Sequence, residues 1–538
     1  MPETIRPARV DTNLLDLGDR RIHRPQQLAV SRSGMVVTAH EEATRAGVEM
    51  LEDKGNAMDA AVAAAFALGV CEPAASGLGG QTMMLVHVAR QRKTFALDGS
   101  SRAPNRATAD ALRKEDRRYG YRATTVPSTP AALRYLLERY GKLKLARVLE
   151  PAIRLAEEGY PVSPLQHALQ MREHKNLRAG NAAKLFLQKG TRAYATGTLF
   201  RQPVLANTLR RMAKKGVRDF YSGEIAKQID RDMRRNDGLV RLDDLAQVPR
   251  PIERRPITTK WSGSRLFTFP LPGAGRALIE MLNIYGSLPV ALRDFDTPRG
   301  SAALAELIRR ALLDRHDRPY DPNFFQQVAN KRMLSEESAR LVAGQIRKTL
   351  AGTGETTHLS VLDKAGNAVA LTQSIERVYG ACVATPELGF LYNNYMSSFE
   401  YKVMSHPYYL RPNACPWSSV APTILRRGPR AWLVIGSPGS ERITSTLLQV
   451  LVRLERLPPF AAVDAPRLHC SLNGVVALEA ARMRDDIPTA LSSAGFEVDV
   501  RDPYSFYLGC VALALRDGDE FIGVADPRRD GAAKGPAA

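Results

Sequence analysis

The hydrophobic positions of the chain fall into two regimes. Residues 34–40 read as a strand and 41–54 as a helix, with Ala43, Ala46, Gly47, Met50 and Leu51 on one face at three-to-four spacing. Gly55-Asn56 is a helix stop. An Ala-rich helix, small enough to pack closely on a sheet, is predicted at 59–70, and an apolar strand at 83–88 follows Gly77-Leu-Gly-Gly80. From about 125 to 350 the pattern is mostly helical, with amphipathic spacing at 130–140, 145–158, 203–214 and 223–234. Asp243-Asp-Leu245 looks like a helix start with acids in its first turn. After about residue 356 the period changes to two. His358, Ser360 and Leu362 alternate with Leu359, Val361 and Asp363; Lys364-Ala-Gly-Asn367 supplies a turn, and 368–375 alternates again, which predicts a β-hairpin. Further strands are predicted at 389–392, 431–435 and 510–516, and helices at 441–454 and 487–494. A strand-rich half with helices implies an α+β fold of stacked layers.

Composition narrows the class. The 538 residues exceed what one core needs, and 44% apolar with 25% charged residues is ordinary for a soluble globular chain. The net charge of +20 has three readings: a solvated Arg-rich surface, an electropositive cleft for an acidic substrate, or nucleic-acid binding. The last lacks a zinc-finger spacing, an RNP-like run or a basic arm, so no nucleic-acid partner is expected. The five cysteines, Cys71, Cys382, Cys415, Cys470 and Cys510, are odd in number and widely spaced, against a disulfide scaffold or structural zinc. Nine scattered His lack metal-ligand spacing, and no GxGxxG, GxxxxGK[ST] or HExxH occurs, so neither metal nor cofactor is expected. Residues 1–30 read as a loosely structured arm without a signal-peptide apolar core, and the longest apolar run, 60–70, is too short to span a membrane. A cytoplasmic location without membrane association is expected. A Gly/Ala-rich tail follows Gly531.

Thr356 is the candidate for chemistry. A threonine hydroxyl is a poor nucleophile at neutral pH unless it heads a chain, where its own α-amine takes the proton. That requires cleavage of the Glu355–Thr356 bond. Gly352-Thr-Gly-Glu355 is a turn-type segment and Thr356 opens a predicted strand, which would hold it rigidly. The competing reading is that Thr356, Thr357 and Thr372 are ordinary β-favouring residues.

A resemblance weighs between them. From Thr356-Thr-His-Leu-Ser-Val-Leu-Asp through Asn367-Ala-Val369 the chain closely resembles the γ-glutamyltransferase (γ-glutamyl transpeptidase) family, in which this stretch opens the small subunit. Gly55-Asn-Ala-Met-Asp-Ala-Ala61, Gly77-Leu-Gly-Gly80, Tyr140-Gly-Lys142, Pro151-Ala-Ile-Arg-Leu-Ala156 and Asp219-Phe-Tyr-Ser-Gly223 are similar to its large-subunit motifs. Leu391-Tyr-Asn-Asn394, Ser418-Ser419, Ala421-Pro-Thr423, Gly436-Ser-Pro-Gly439 and Asp526-Pro-Arg528 are similar to those of the small subunit, and all stand in family order. The resemblance implies an N-terminal-nucleophile (Ntn) hydrolase with an αββα four-layer sandwich, built from two chains of one self-cleaved precursor. It divides this chain into the arm 1–30, a large subunit 31–355 and a small subunit 356–538. The two pieces would form a heterodimer acting on a small-molecule amide, with further homo-oligomers open. The resemblance makes Thr356 the nucleophile and Ser374 a hydroxyl bonded to it. The amides of Gly439 and Ser440 become the oxyanion hole, with Ser440 where the family has glycine, and Ser418 and Ser419 hold a substrate carboxylate. His358 is near Thr356, but neighbouring strand residues face opposite ways, so it reads as structural.

The chain departs from the family where a γ-glutamyl group is read. Ser100 takes the place of the carboxylate-gripping Arg, with Arg102 two residues on as the nearest replacement. Glu376, Tyr395 and Ser398 occupy the Asn, Glu/Gln and Asp positions that hold the amine. The lid segment between Ser398 and Ser418 reads as shorter but keeps Tyr401, Tyr408 and Tyr409. Such losses change substrate choice more than chemistry. The expected activity is therefore amide cleavage through an acyl-Thr356 intermediate with an acyl group other than standard γ-glutamyl. True γ-glutamyl transfer and a non-catalytic binding relative stand as alternatives.

Overall fold

A computed structural model describes residues 25–247, 251–317 and 356–537. Among these, the strands form two large antiparallel sheets of seven. One runs in the order Ala532–Lys534, Gly34–Thr38, Thr357–Asp363, Ala368–Ser374, Gln81–Val88, Lys93–Gly99, Ile252–Arg254. The other runs Leu28–Ser31, Glu520–Ala525, Ala512–Asp517, Arg430–Gly436, Thr423–Arg427, Ser264–Thr268, Ile257–Trp261.

Period two decides which side of the first sheet each residue serves. Leu359, Val361, Val369 and Leu371 pack with the helices Glu41–Glu52, Ala57–Cys71 and Leu145–Glu158. Their neighbours Leu362, Ala368 and Ala370 share another core with Val434, Ala512 and Ala514 of the second sheet. The far side of that second sheet, through Leu433, Ile435, Leu513 and Leu515, packs with the helices Gly275–Ser287, Pro298–Asp317 and Arg442–Arg453. Small residues permit the close approach: a Cβ on Gly47 would press on Val36 at 2.8 Å. The Ala57–Cys71 helix starts on a capping box, Asn56 with Asp59, and its first amide also donates to Asp363 at 2.9 Å, tying helix to hairpin. The hairpin turn forms as expected, with Gly366 at φ 88° and the Asn367 amide donating to Asp363 at 2.9 Å.

Several expectations change. The middle region is not only helical: Ile252–Arg254 edges one sheet, while Ile257–Trp261 and Ser264–Thr268 extend the other. The stretch at 389–392 is not a strand. Leu391 and Tyr392 make isolated bridges to Ala384 and Gly79, so the segment threads between two loops instead of lying along a partner. The arm gives way earlier than residue 30, because Leu28–Ser31 pairs with Glu520–Ala525. The tail after Gly531 supplies an edge strand beside Gly34–Thr38. Among the described residues no helix is long and apolar enough to cross a membrane.

Candidate active site

Thr356 immediately precedes the strand Thr357–Asp363, which lies inside its sheet between Gly34–Thr38 and Ala368–Ser374. It is 5% exposed. Thr357 pairs with Gln373, so the antiparallel register carries Thr356 to the end of the partner strand, where Ser374 sits. The Thr356 carbonyl accepts from Nη1 of Arg529 at 3.2 Å. The same nitrogen lies 3.3 Å from the Glu72 carboxylate, and the guanidinium stacks 4.1 Å from the centre of the Phe506 ring. Arg529 follows Arg528, which is locked between Asp526 and Glu479, while Arg467 reaches Asp526 at 2.6 Å. All four members of that network are buried. The Asp526-Pro-Arg528 motif thus anchors the loop that presents Arg529 to Thr356.

Ser374 connects the strand end to two further candidates. Its Oγ accepts from the Glu376 amide at 2.8 Å and exchanges a hydrogen bond with the Tyr395 side chain. Burial pushes the Tyr395 phenol above its ordinary range, so it acts as a neutral group. Glu376 has a φ of 77°, left-handed backbone that is strained for a residue with a Cβ.

Opposite lies the turn between the strand Arg430–Gly436 and the helix Arg442–Arg453. Gly439 has φ 122° and Ser440 φ 53°. The left-handed conformation that favours glycine is therefore kept although the second residue is serine, at about 1–3 kcal/mol. The carbonyls of Gly439 and Ser440 accept from Arg442 and Ile443, each at 3.0 Å. Neither residue's own amide has an acceptor among the described residues.

These elements converge on a cavity of about 350 Å³ lined by Thr356, Glu376, Tyr395, Ser398, Ser418, Ser419 and Ser440. Arg315 from the helix Pro298–Asp317 also lines it. Arg315 donates to the Ser418 carbonyl at 2.6 Å and to Ser419 Oγ at 3.4 Å, and lies 4.4 Å from the Trp417 ring centre. Burial lowers Arg315 to about 10, opposed by the nearby Glu441 carboxylate, so it stays charged at neutral pH. The lid side contributes Phe399, Glu400, His406 and Tyr408. Glu400 turns its carboxylate into its own loop, accepting from the amides of Tyr401, Lys402 and Val403 at 3.0, 2.6 and 3.2 Å. Those amides, Lys402 first, hold it below the usual range. Tyr401 and Tyr409 do not line the cavity. A wider cleft of about 600 Å³, beside Tyr135, Arg139 and Tyr221, holds none of the candidate residues.

Not every candidate arrives. Ser100 is turned to Asp98, which accepts from its amide at 3.0 Å and also from its hydroxyl. Arg102 is buried, its backbone bridged to Val126, and it is not among the cavity-lining residues. Glu355 lies outside the described residues. His358 is two residues from Thr356, so strand alternation turns it to the same side, not the opposite one. What excludes it is its surroundings: the ring bonds Thr372 Oγ1 at 2.8 Å and Ser360 Oγ at 3.2 Å, between the sheets against Gly436. Burial lowers it to about 3, so it is neutral. The electropositive-cleft reading of the net charge also fails here, since Glu376, Glu400 and Glu441 outnumber Arg315 among the described lining residues. Among the described residues no group of three or more His, Cys, Asp or Glu is placed to hold a metal ion.

Residues 43–535 match the family model for gamma-glutamyltranspeptidase. The chain belongs to that family. It is 32% identical to the glutathione hydrolase proenzyme of Escherichia coli K12, over 82% of this chain and 81% of that protein. It is 32% identical to the acylase ACY 1 proenzyme of Pseudomonas sp. strain V22, over 94% of this chain and 93% of that one. The crystal structure of cephalosporin acylase from Bacillus halodurans superposes with a TM-score of 0.87 at 29% identity, covering 97% of this chain and 99% of that chain. The chain is thus an enzyme of the γ-glutamyltranspeptidase family, related to both its glutathione hydrolases and its acylases. Sequence reasoning missed three members of the site: Arg529, Arg315 and Glu441. Arg529 was signalled by its position directly after a family motif. Glu441 was signalled by its place directly after Ser440, whereas Arg315 carries no motif and only the fold brings it to the cavity that Thr356 lines.

Proposed function

We propose that this family member is a self-processing Ntn amidohydrolase whose nucleophile is Thr356, freed by cleavage after Glu355. The reading divides the chain into a large subunit 31–355 and a small subunit 356–538, paired as a heterodimer within an αββα four-layer sandwich. The observation that carries it is the placement of Thr356 at the rim of a central strand, lining a cavity whose other wall carries Ser440.

In the mature chain the α-amine of Thr356 takes the proton from its Oγ, which attacks the substrate's amide carbonyl. A bond forms from Oγ to carbon, and the carbonyl electrons move to oxygen. The Gly439 and Ser440 amides meet that developing charge without reorganising. Collapse breaks the C–N bond, the leaving amine takes the proton from the α-ammonium, and an acyl-Thr356 ester remains. Water, deprotonated by the same amine, attacks the ester and releases the acid with a regenerated hydroxyl. Ser374 holds Oγ in place, and Ser418 and Ser419 face the acyl group.

The hydroxyl at Ser100 and the absence of Arg102 from the cavity-lining residues favour an acyl group other than standard γ-glutamyl. Purified protein assayed with glutathione, γ-glutamyl p-nitroanilide and non-glutamyl amides separates the readings. Preferential turnover of the first two would support γ-glutamyl transfer instead, and turnover of the others alone supports the acyl change. No amide hydrolysis at all would leave the non-catalytic alternative.

A further inference from the structure

We propose that Glu72 and Arg529 form a charge pair, one member from each chain of the processed protein, that sets how readily the freed α-amine of Thr356 holds its proton. The inference rests on the reading of Thr356 given above. Nη1 of Arg529 is shared: it donates to the Thr356 carbonyl at 3.2 Å and lies 3.3 Å from Oε1 of Glu72. The Arg529 side chain is 1% exposed and that of Glu72 14%. The α-nitrogen of Thr356 is two bonds from the carbonyl carbon, so the guanidinium nitrogen sits no more than about 7 Å from it. Charges so close and so little screened by water act strongly on a neighbouring ionisable group. Both charges are held in place. Glu72 closes the helix Ala57–Cys71, and its carbonyl accepts from the Ala75 and Ser76 amides at 3.1 and 3.2 Å. The Ala75 carbonyl accepts from the Ile375 amide at 3.2 Å, which docks this loop against the end of the strand Ala368–Ser374. Arg529 is braced by the Phe506 ring.

The two charges act in opposite senses. A cation beside an ammonium disfavours it, so Arg529 keeps the amine free to take the Oγ proton near neutral pH, where an ordinary α-amine, titrating at about 8, is mostly protonated. A carboxylate favours the ammonium, so Glu72 limits that effect and keeps the amine basic. Other titratable groups surround the same amine. The cavity presents Glu376, Glu441, Arg315, Tyr395 and Tyr408, the lid adds Glu400 and His406, and the end of the helix Pro298–Asp317 adds His316. Behind Arg529 lie the buried network of Asp526, Arg528, Arg467 and Glu479 and the Cys510 thiol, which burial pushes up and keeps neutral. These groups fix where the amine titrates. They are the same whichever member of the pair is changed, so they do not decide the direction of the shift each change produces.

The test uses the purified full-length protein as wild type, Glu72→Gln, Arg529→Met and the double variant. A brief pulse of acetic anhydride, repeated over a series of pH values, acetylates only the unprotonated amine. The mass of the peptide beginning at Thr356 gives the fraction labelled, and so titrates the amine without any need for turnover. Arg529→Met is expected to raise the midpoint by about one pH unit and Glu72→Gln to lower it by about one, with the double variant between them. The acid limb of kcat/KM for γ-glutamyl or glutaryl p-nitroanilide should move the same way. Arg529→Lys, which keeps the charge, should stay close to wild type. A purely structural clamp would change rates without moving the midpoint in opposite senses. If one single variant does not fold, the direction of the other decides. Midpoints that do not move, or that move in the same sense, overturn the proposal. A wild-type chain with no amine at Thr356 to label sinks the reading of Thr356, whereas a labelled amine whose midpoint ignores both substitutions sinks this inference alone.

Discussion

Arg529 donates from Nη1 to the main-chain carbonyl of Thr356 at 3.2 Å, pinning the candidate nucleophile by its backbone and leaving its side chain to the cavity. The grip is stiff because Arg529 stacks on Phe506 and follows a residue held in a buried ion network. Arg529→Met keeps the stem but removes the donor. It is expected to slow the appearance of fragments and to lower kcat by about 10- to 100-fold, the scale of a misplaced reacting group. Arg529→Lys should recover part of the loss. Rates equal to wild type for Arg529→Met would remove Arg529 from the positioning of Thr356.

Ser440 holds a left-handed backbone that glycine adopts without strain. Ser440→Gly is expected to keep the amide where it is and stabilise the fold by about 0.5–1 kcal/mol, seen as a raised Tm. Ser440→Val should instead destabilise, because a β-branched residue is disfavoured at positive φ. A Tm lowered by Ser440→Gly would show that the turn does not carry strain at this residue.

Gly436 and His358 meet between the two sheets, where a Cβ at Gly436 would overlap the imidazole. Gly436→Ala is therefore expected to abolish soluble, folded protein. In Gly436→Ala/His358→Ala the ring is gone, and recovery of soluble protein is expected. Failure of the double variant to recover would place the defect elsewhere.

Burial brings His358 and His469 from the ordinary 6.5 to about 3, and His87 to about 4. In each the folded-state value is depressed, so below 6.5 the unfolded chain takes up protons that the folded chain refuses. The stability from keeping these rings neutral is complete above about pH 6.5 and falls as pH drops towards 3. Urea midpoints measured between about pH 7.5 and 4.5 should fall with acidification, and less steeply in His358→Gln. A midpoint that is flat or rising towards acid would contradict the neutral assignment.

The hairpin from Thr357 to Ser374 was legible because period two and good turn residues act over short range. The helices at 41–52 and 145–158 were legible for the same local reason. What escaped depends on partners far away in sequence. The strands Ile257–Trp261 and Ser264–Thr268 sit at the edge of a sheet completed by strands beyond residue 420, so nothing nearby marks them. At the site, Thr356, Ser374 and Ser440 were found because motifs mark them, whereas Arg315 reaches Ser418 across 103 residues of chain. Arg102 was chosen by closeness in sequence to Ser100, but it is buried with its backbone bridged to Val126 and is not among the cavity-lining residues.

The central claim is that a side-chain hydroxyl becomes reactive by heading a new chain at residue 356. Intact-mass measurement of the purified protein beside Thr356→Ala tests it most directly. Two fragments from wild type, the smaller beginning at Thr356, and one uncut chain from the variant are predicted. A wild-type protein that stays in one piece while hydrolysing an amide would contradict the account.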